Sequence, residues 1–181
     1  MKITYTTSKT TEELTQILVL QQANLYRNVS NEEKLAEGFL TVEHSFELLK
    51  EMNDVCPHTI AIDEQGNLAG YAMSMHPSFK DKIDVLKPMF DVIDPLIATE
   101  EKYMLMGQIC VSKNHRKQGA FRGLYTHMKN ELKHDYDSII TEIDALNSRS
   151  MEAHKAVGFE EMVRYHANEG SNVKLGEKLY L

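Results

Sequence analysis

A chain of 181 residues with 42% hydrophobic and 26% charged side chains can bury one sizeable core, and the mixture is that of a globular protein. Its net charge of −7 argues against nucleic acid as the general partner, since phosphate-backbone binding calls for a broad basic face. Met1 to Thr11 is too polar for a signal peptide, no run approaches the roughly 18 apolar residues of a membrane span, and Cys56 and Cys110 are too few for a disulfide framework. The expectation is a cytoplasmic protein of one domain over residues 1–181, with reduced thiols and no membrane partner.

In chain order, Lys2 to Thr6 reads as a short strand, and Thr10 with Glu13 forms a capping box ahead of Leu14, Ile17, Leu18 and Leu25 at helical spacing, predicting a helix that ends near Arg27. Ser30 with Glu33 makes a second capping box before a stripe of Leu35, Phe39, Val42, Phe46 and Leu49, one helix or a pair broken at Gly38. Thr59 to Asp63 and Leu68 to Met75 read as a hairpin turning at Gly66. The stretch from His76 to Glu101, with Pro77, Pro88 and Pro95, reads as an insertion carrying a short helix from about Phe79 to Phe90. Tyr103 to Val111 is a buried strand in which Gly107 marks a bulge or a close backbone approach. A helix through Phe121, Leu124, Tyr125, Met128 and Leu132 follows, then a strand from Ser138 to Ile143. A shorter helix runs from Ser150 to Val157 with Gly158 as its C-cap, and strands at about Glu160 to His166 and Val173 to Leu181 close the chain. The order is β-α-α-β-β-(insert)-β-α-β-α-β-β, an α/β (α+β) class.

One window departs from the acidic average. Lys113, Arg116, Lys117, Arg122, Lys129 and Lys133 face a single acid, Glu131, so residues 113–133 carry +5 and the remainder −12. The run from Val111 to Gly123 lies between a buried strand and an amphipathic helix. Unpaired N–H groups at a helix start, with Gly119 allowing close approach, make a cradle for phosphate oxygens; a solvated basic helix start is the other reading of the same residues. Neither a G-x-x-x-x-G-K-[ST] nor a G-x-G-x-x-G motif occurs, which disfavours a P-loop or a dinucleotide-binding unit.

Arg116-Lys117-Gln118-Gly119-Ala120-Phe121 resembles the [QR]-x-x-G-x-[GA] pyrophosphate signature of the GNAT superfamily of N-acetyltransferases. Asn147-Ser-Arg-Ser-Met-Glu-Ala-His-Lys-Ala-Val-Gly-Phe159 resembles that family's N-x-x-[AS]-x-x-x-[YH]-x-x-x-G-F segment. The resemblance implies a GNAT-type mixed, mostly antiparallel central sheet flanked by helices, and acetyl-CoA as co-substrate. By the same resemblance, acetyl-CoA would lie in a cleft where the strand ending at Val111 splays from the strand carrying Glu142. Ile109, Cys110 and Val111 would hold the pantetheine arm; Arg116, Lys117, Gln118, Gly119, Ala120, Phe121 and Arg122 the phosphates; and Asn147 a pantetheine or backbone group. Phe121 stands where the signature has Gly or Ala, so the turn must open or the ring must point into the core.

Acetyl transfer to an amine needs a proton acceptor for the ammonium and donors for the oxyanion. By resemblance to ribosomal-protein N-terminal acetyltransferases, Glu142 is the candidate base and His154 the candidate acid. The alternatives are a strand carboxylate paired with a cation, Asp144 on the same strand face, and a structural histidine. Cys110 in an apolar strand reads as an inert thiol as regards nucleophilic chemistry, Gln108 either faces the acceptor or satisfies the bulge, and His44, His58 and His76 show no metal spacing. The expected activity is an acyltransferase reaction on a primary amine of a small molecule or peptide N-terminus. Residues 26–46 and the insertion are the implied acceptor pocket, and a homodimer is an admitted assembly. The competing reading is a non-catalytic acyl-CoA sensor or an interaction module.

Overall fold

The structure is a computed structural model describing residues 2–167 and 172–181. Both capping boxes form: Thr10 Oγ1 accepts from Glu13 N–H at 3.2 Å and Ser30 Oγ from Glu33 N–H at 3.2 Å, with each glutamate bonded back to its cap. The first starts α1 (Thr11–Asn24), whose inner face changes along its length from Leu14 and Ile17 to the buried amides Gln21 and Asn24. It stops short of Arg27 because Leu25 turns to extended backbone and bridges Leu40.

The second box starts α2 (Asn31–Glu37), and here the apolar stripe breaks. Gly38 leaves the helix at φ +81°, and residues 39–45 run on without helical structure until Ser45 caps α3 (Phe46–Val55). Three helices therefore stand between the first two strands, the stripe being the pair broken at Gly38 rather than one helix. The insertion also differs in detail. Short 3₁₀ turns occupy Pro77–Lys82 and Asp84–Leu86, and the helix, α4, is Lys87–Ile93. Pro88 explains the late start, since proline lacks the N–H and clashes with the preceding turn inside a helix but is tolerated in the first turn.

The strands are β1 (Thr4–Thr7), β2 (Thr59–Ile62), β3 (Leu68–Met75), β4 (Tyr103–Val111), β5 (Ser138–Asp144), β6 (Glu160–His166) and β7 (Val173–Tyr180). They form one sheet of order β1-β2-β3-β4-β5-β7-β6, antiparallel at every junction except β4–β5. Gly107 is the extra residue of a bulge, since Met73 faces Gln108 while Ser74 faces Met106. Helices α5 (Ala120–Leu132) and α6 (Ser148–Lys155) complete the α-helices among the described residues.

Alternation along the strands builds two cores. On one face Ile60, Tyr71, Met73, Leu105 and Ile140 pack with α1, α3 and the Met89, Phe90 and Ile93 face of α4. On the other, Ala61, Ala72, Met104 and Ile139 pack with Leu124, Tyr125 and Met128 of α5. At about 1.5–3 kcal/mol for each fully buried large side chain, these faces fix the strand register, because a one-residue slip would exchange them. The insertion is thus a structural part of the first core.

Candidate active site

The parallel pair β4–β5 holds register only from Tyr103↔Ser138 to Leu105↔Ile140. Beyond it Thr141 Oγ1 bonds the Met106 carbonyl at 3.0 Å, after which β4 runs on to Val111 and β5 to Asp144 without pairing. A cavity of about 320 Å³ occupies this region, walled by Ile109 to Val111, the start of α5, the small side chains Ala153, Ala156 and Val157, and the strap Gly38-Phe39-Leu40. All the residues expected to hold the co-substrate line it except Gln118, whose amide folds back onto the Asn114 carbonyl at 2.8 Å.

At its far end α5 begins on Gly119, a left-handed N-cap at φ +83° with no side-chain cap and open space where a Cβ would stand. The first N–H groups of α5 therefore point outward without an intrahelical partner, as an anion requires. Lys117, also left-handed at φ 60°, adds a second such turn two residues earlier. Phe121 does not obstruct the cradle: its ring packs edge-on against Tyr125 and His154 at centroid distances of 5.2 and 5.1 Å. Phosphates at the loop and an extended arm along β4 fit this geometry.

The loop's cations are partly engaged. Arg116 donates to the Val111 carbonyl at 3.2 Å and to Asn24 Oδ1 at 2.7 Å, tying the loop to the end of α1, and Arg122 donates to the Ala156 carbonyl at 2.9 Å. Lys113 pairs with Glu33, and Glu37 lies 3.3 Å from Lys117 Nζ and 3.8 Å from Arg116 Nη1. Asn147 caps α6 through Ser150 N–H at 3.2 Å and donates to the Phe39 carbonyl at 3.1 Å, so its amide locks the strap across the cavity.

Glu142 and His154 stand apart from this cavity. Glu142 shares a strand face with Ile140, on the side of α1 and α4, and is half-buried. Tyr165 reaches across β7 at Gly176 to donate to its carboxylate, and Lys174 Nζ lies 3.7 Å away. Burial, and then the Glu142 carboxylate, hold the Tyr165 phenol well above its ordinary value. Asp144 is pulled below the usual carboxylate range, burial being outweighed by the Leu146 N–H, Asn172 and Lys174.

His154 is 1% exposed, its Nδ1 at 2.8 Å from the Ser150 carbonyl and its ring enclosed by Phe121, Tyr125 and Phe159. Burial lowers its pKa to about 4, so the ring is neutral near pH 7. Gln108 meets Gln21, Tyr71 and the Val42 carbonyl in a buried network, which pins residues 42–44 to β4. Burial pushes the Cys110 thiol up to about 12. No group of His, Cys, Asp and Glu among the described residues could hold a metal ion, and none of their helices is long and apolar enough to cross a membrane.

The sequence model of the Acetyltransferase (GNAT) family matches residues 23–159, which span the cavity and both signature segments. The chain belongs to this family. No curated protein sequence matches it. Among solved structures, this GNAT chain is similar to the ribosomal-protein-S18-alanine N-acetyltransferase of Escherichia coli, at 15% identity and a TM-score of 0.64 over 99% of this chain and 94% of that one. It is similar to the spermidine N-acetyltransferase of Vibrio cholerae in complex with CoA and spermine, at 15% identity and 0.60 over 98% and 95%. It is also similar to Arabidopsis thaliana NAA60 in complex with acetyl-CoA, at 12% identity and 0.68 over 99% and 100%. At these identities the likeness carries the fold, which is the mixed α/β sheet expected from the sequence.

Residues 26–46 were expected around the acceptor, but Glu37 and the strap line the cavity beside the basic loop. Gly38 was legible as a helix breaker, but nothing in its neighbourhood signals that the following residues cross to Asn147.

Proposed function

We propose that this GNAT chain transfers the acetyl group of acetyl-CoA to a primary amine of a small molecule or a peptide N-terminus. The observation that carries the reading is the cavity from the uncapped start of α5 to the end of β4 at Ile109 to Val111, which does not pair with β5. Acetyl-CoA supplies a thioester that the amine attacks with release of the thiol. The α5 N–H groups, Lys117 and Gly119 receive the phosphates, and the unpaired edge of β4 orients the acyl arm. Glu142, on the sheet face that carries α1 and α4, takes a proton from the acceptor ammonium directly or through water, which frees the lone pair that attacks the thioester. Its carboxylate is held for this by Tyr165 and Lys174. His154 packs as a neutral ring, so the released thiolate takes its proton from solvent. The reading extends to a cytoplasmic enzyme that forms a homodimer, which cell fractionation and sedimentation test.

The engagement of Glu142 and the burial of His154 favour a second reading, an acyl-CoA sensor without transfer activity. Thiol release from acetyl-CoA, screened over polyamines, amino acids, aminoglycosides and short peptides, separates the two. Release with one acceptor class supports transfer. Calorimetric binding of CoA with no release in any class refutes transfer in favour of the sensor, and no CoA binding refutes both.

A further inference from the structure

The cations of residues 113–117 lie against a helix of opposite charge. Helix α2 buries none of its own side chains, and Leu35 on it is 78% exposed, so packing alone does not explain its place against the loop. Charge does: Glu33 pairs with Lys113, while the Glu37 carboxylate lies 3.3 Å from Lys117 Nζ and 3.8 Å from Arg116 Nη1. Glu37 also lines the cavity beside Lys117 and Gly119, where the anionic end of a ligand must come to rest.

These contacts differ in burial and in anchoring. Arg116 is fixed by the Val111 carbonyl and by Asn24, whereas the Lys117 side chain is 74% exposed and pairs with Glu37. Turning Lys117 from a carboxylate to a phosphate requires a rotamer change and no loss of buried contact. The exchange is isoelectric for the lysine, and it leaves Glu37 facing the incoming negative charge.

We propose that Glu37 is an affinity-determining residue for the co-substrate: its carboxylate stands in for a phosphate at Lys117 and Arg116, and phosphate binding must displace it. Glu37 thus weakens the hold on the phosphate end and leaves the acyl end untouched. The inference rests on acetyl-CoA being the ligand of this cavity, and the experiment separates the two claims. Calorimetric titration of wild type and Glu37→Gln with acetyl-CoA, and with S-acetyl-pantetheine as a probe without phosphates, is performed at low ionic strength and at about 0.5 M salt. Removing one charge near a phosphate at about 5 Å in a largely aqueous surrounding corresponds to tightening of about four- to tenfold. That gain is expected for acetyl-CoA only, and it collapses at high salt because the Debye length shrinks to a few ångström. Glu33→Gln, one turn further from the cavity, is expected to give a smaller gain of the same sign.

Unchanged or weakened acetyl-CoA binding in both variants, or an equal change for the two probes, overturns the proposal while leaving the co-substrate reading intact. Wild type that fails to bind acetyl-CoA overturns both.

Discussion

Replacing Gly38 by alanine tests whether the strap over the cavity is locked as described. Gly38 sits at φ +81° and ψ −176°, a region that side chains rarely enter, with a backbone penalty of about 1–3 kcal/mol. The added Cβ would stand 2.7 Å from Asn147 Oδ1 and 3.5 Å from its Cγ and Nδ2. Backbone would have to shift or Asn147 turn away, and turning removes the cap on Ser150 N–H together with the bond to the Phe39 carbonyl. Loss of such a cap costs about 1 kcal/mol. The expected destabilisation is about 2–4 kcal/mol by urea unfolding, with weakened CoA binding because the strap walls the cavity. Gly66→Ala is the reference: φ is +84° there, but no atom lies within 4 Å of the added Cβ, so it reports backbone strain without the Asn147 contact. If Gly38→Ala is no more destabilising than Gly66→Ala and CoA affinity is unchanged, the lock between Asn147 and the strap does not exist.

His154→Phe should leave the pH-rate profile of acetyl transfer unchanged, since the ring is neutral, buried and outside the cavity; loss of its basic limb would restore the histidine as an acid. Tyr165→Phe removes the hydrogen bond that orients Glu142, typically worth about 1 kcal/mol, so kcat should fall several-fold while KM for acetyl-CoA stays constant; a changed KM with constant kcat would refute the positioning role. Glu177 lies buried opposite Glu161 with Oε2 unpartnered, and burial, then Glu161, raises its pKa to about 7. A raised carboxyl favours its neutral form in the fold, so its contribution is complete below the ordinary glutamate value and is lost as pH rises through about 7. Glu177→Gln should therefore stabilise the protein by about 1–2 kcal/mol at pH 8, after allowance for solvent screening, and by little at pH 5. Urea unfolding at the two values checks the sign.

What the sequence revealed and what it concealed divide by the range of the interaction. Thr10 with Glu13 and Ser30 with Glu33 are contacts three residues apart, and both caps formed where the spacing put them. Gly107 marked its bulge and Gly38 its helix break through backbone geometry alone. The insertion helix began later than its apolar content suggested because Pro88 governs its first turn. The loop residues gather at the cavity because one strand, one turn and one helix start carry them all. Contacts across the fold behave otherwise. The Tyr165 partner of Glu142 sits on a strand two places away in the sheet, Glu37 meets a loop about 80 residues downstream, and His154 is surrounded by rings from α5 and from the segment after α6.

The three contacts bear differently on function. The ring cage decides protonation: a histidine in the tyrosine position of the family segment reads as an acid in sequence, yet enclosure by Phe121, Tyr125 and Phe159 lowers its affinity for a proton. Phe121 serves both sites at once. By leaving the phosphate turn for this cage it keeps the cradle open, and by closing the cage it helps exclude water from His154. The departure from the pyrophosphate signature and the substitution at the acid position are therefore one packing arrangement.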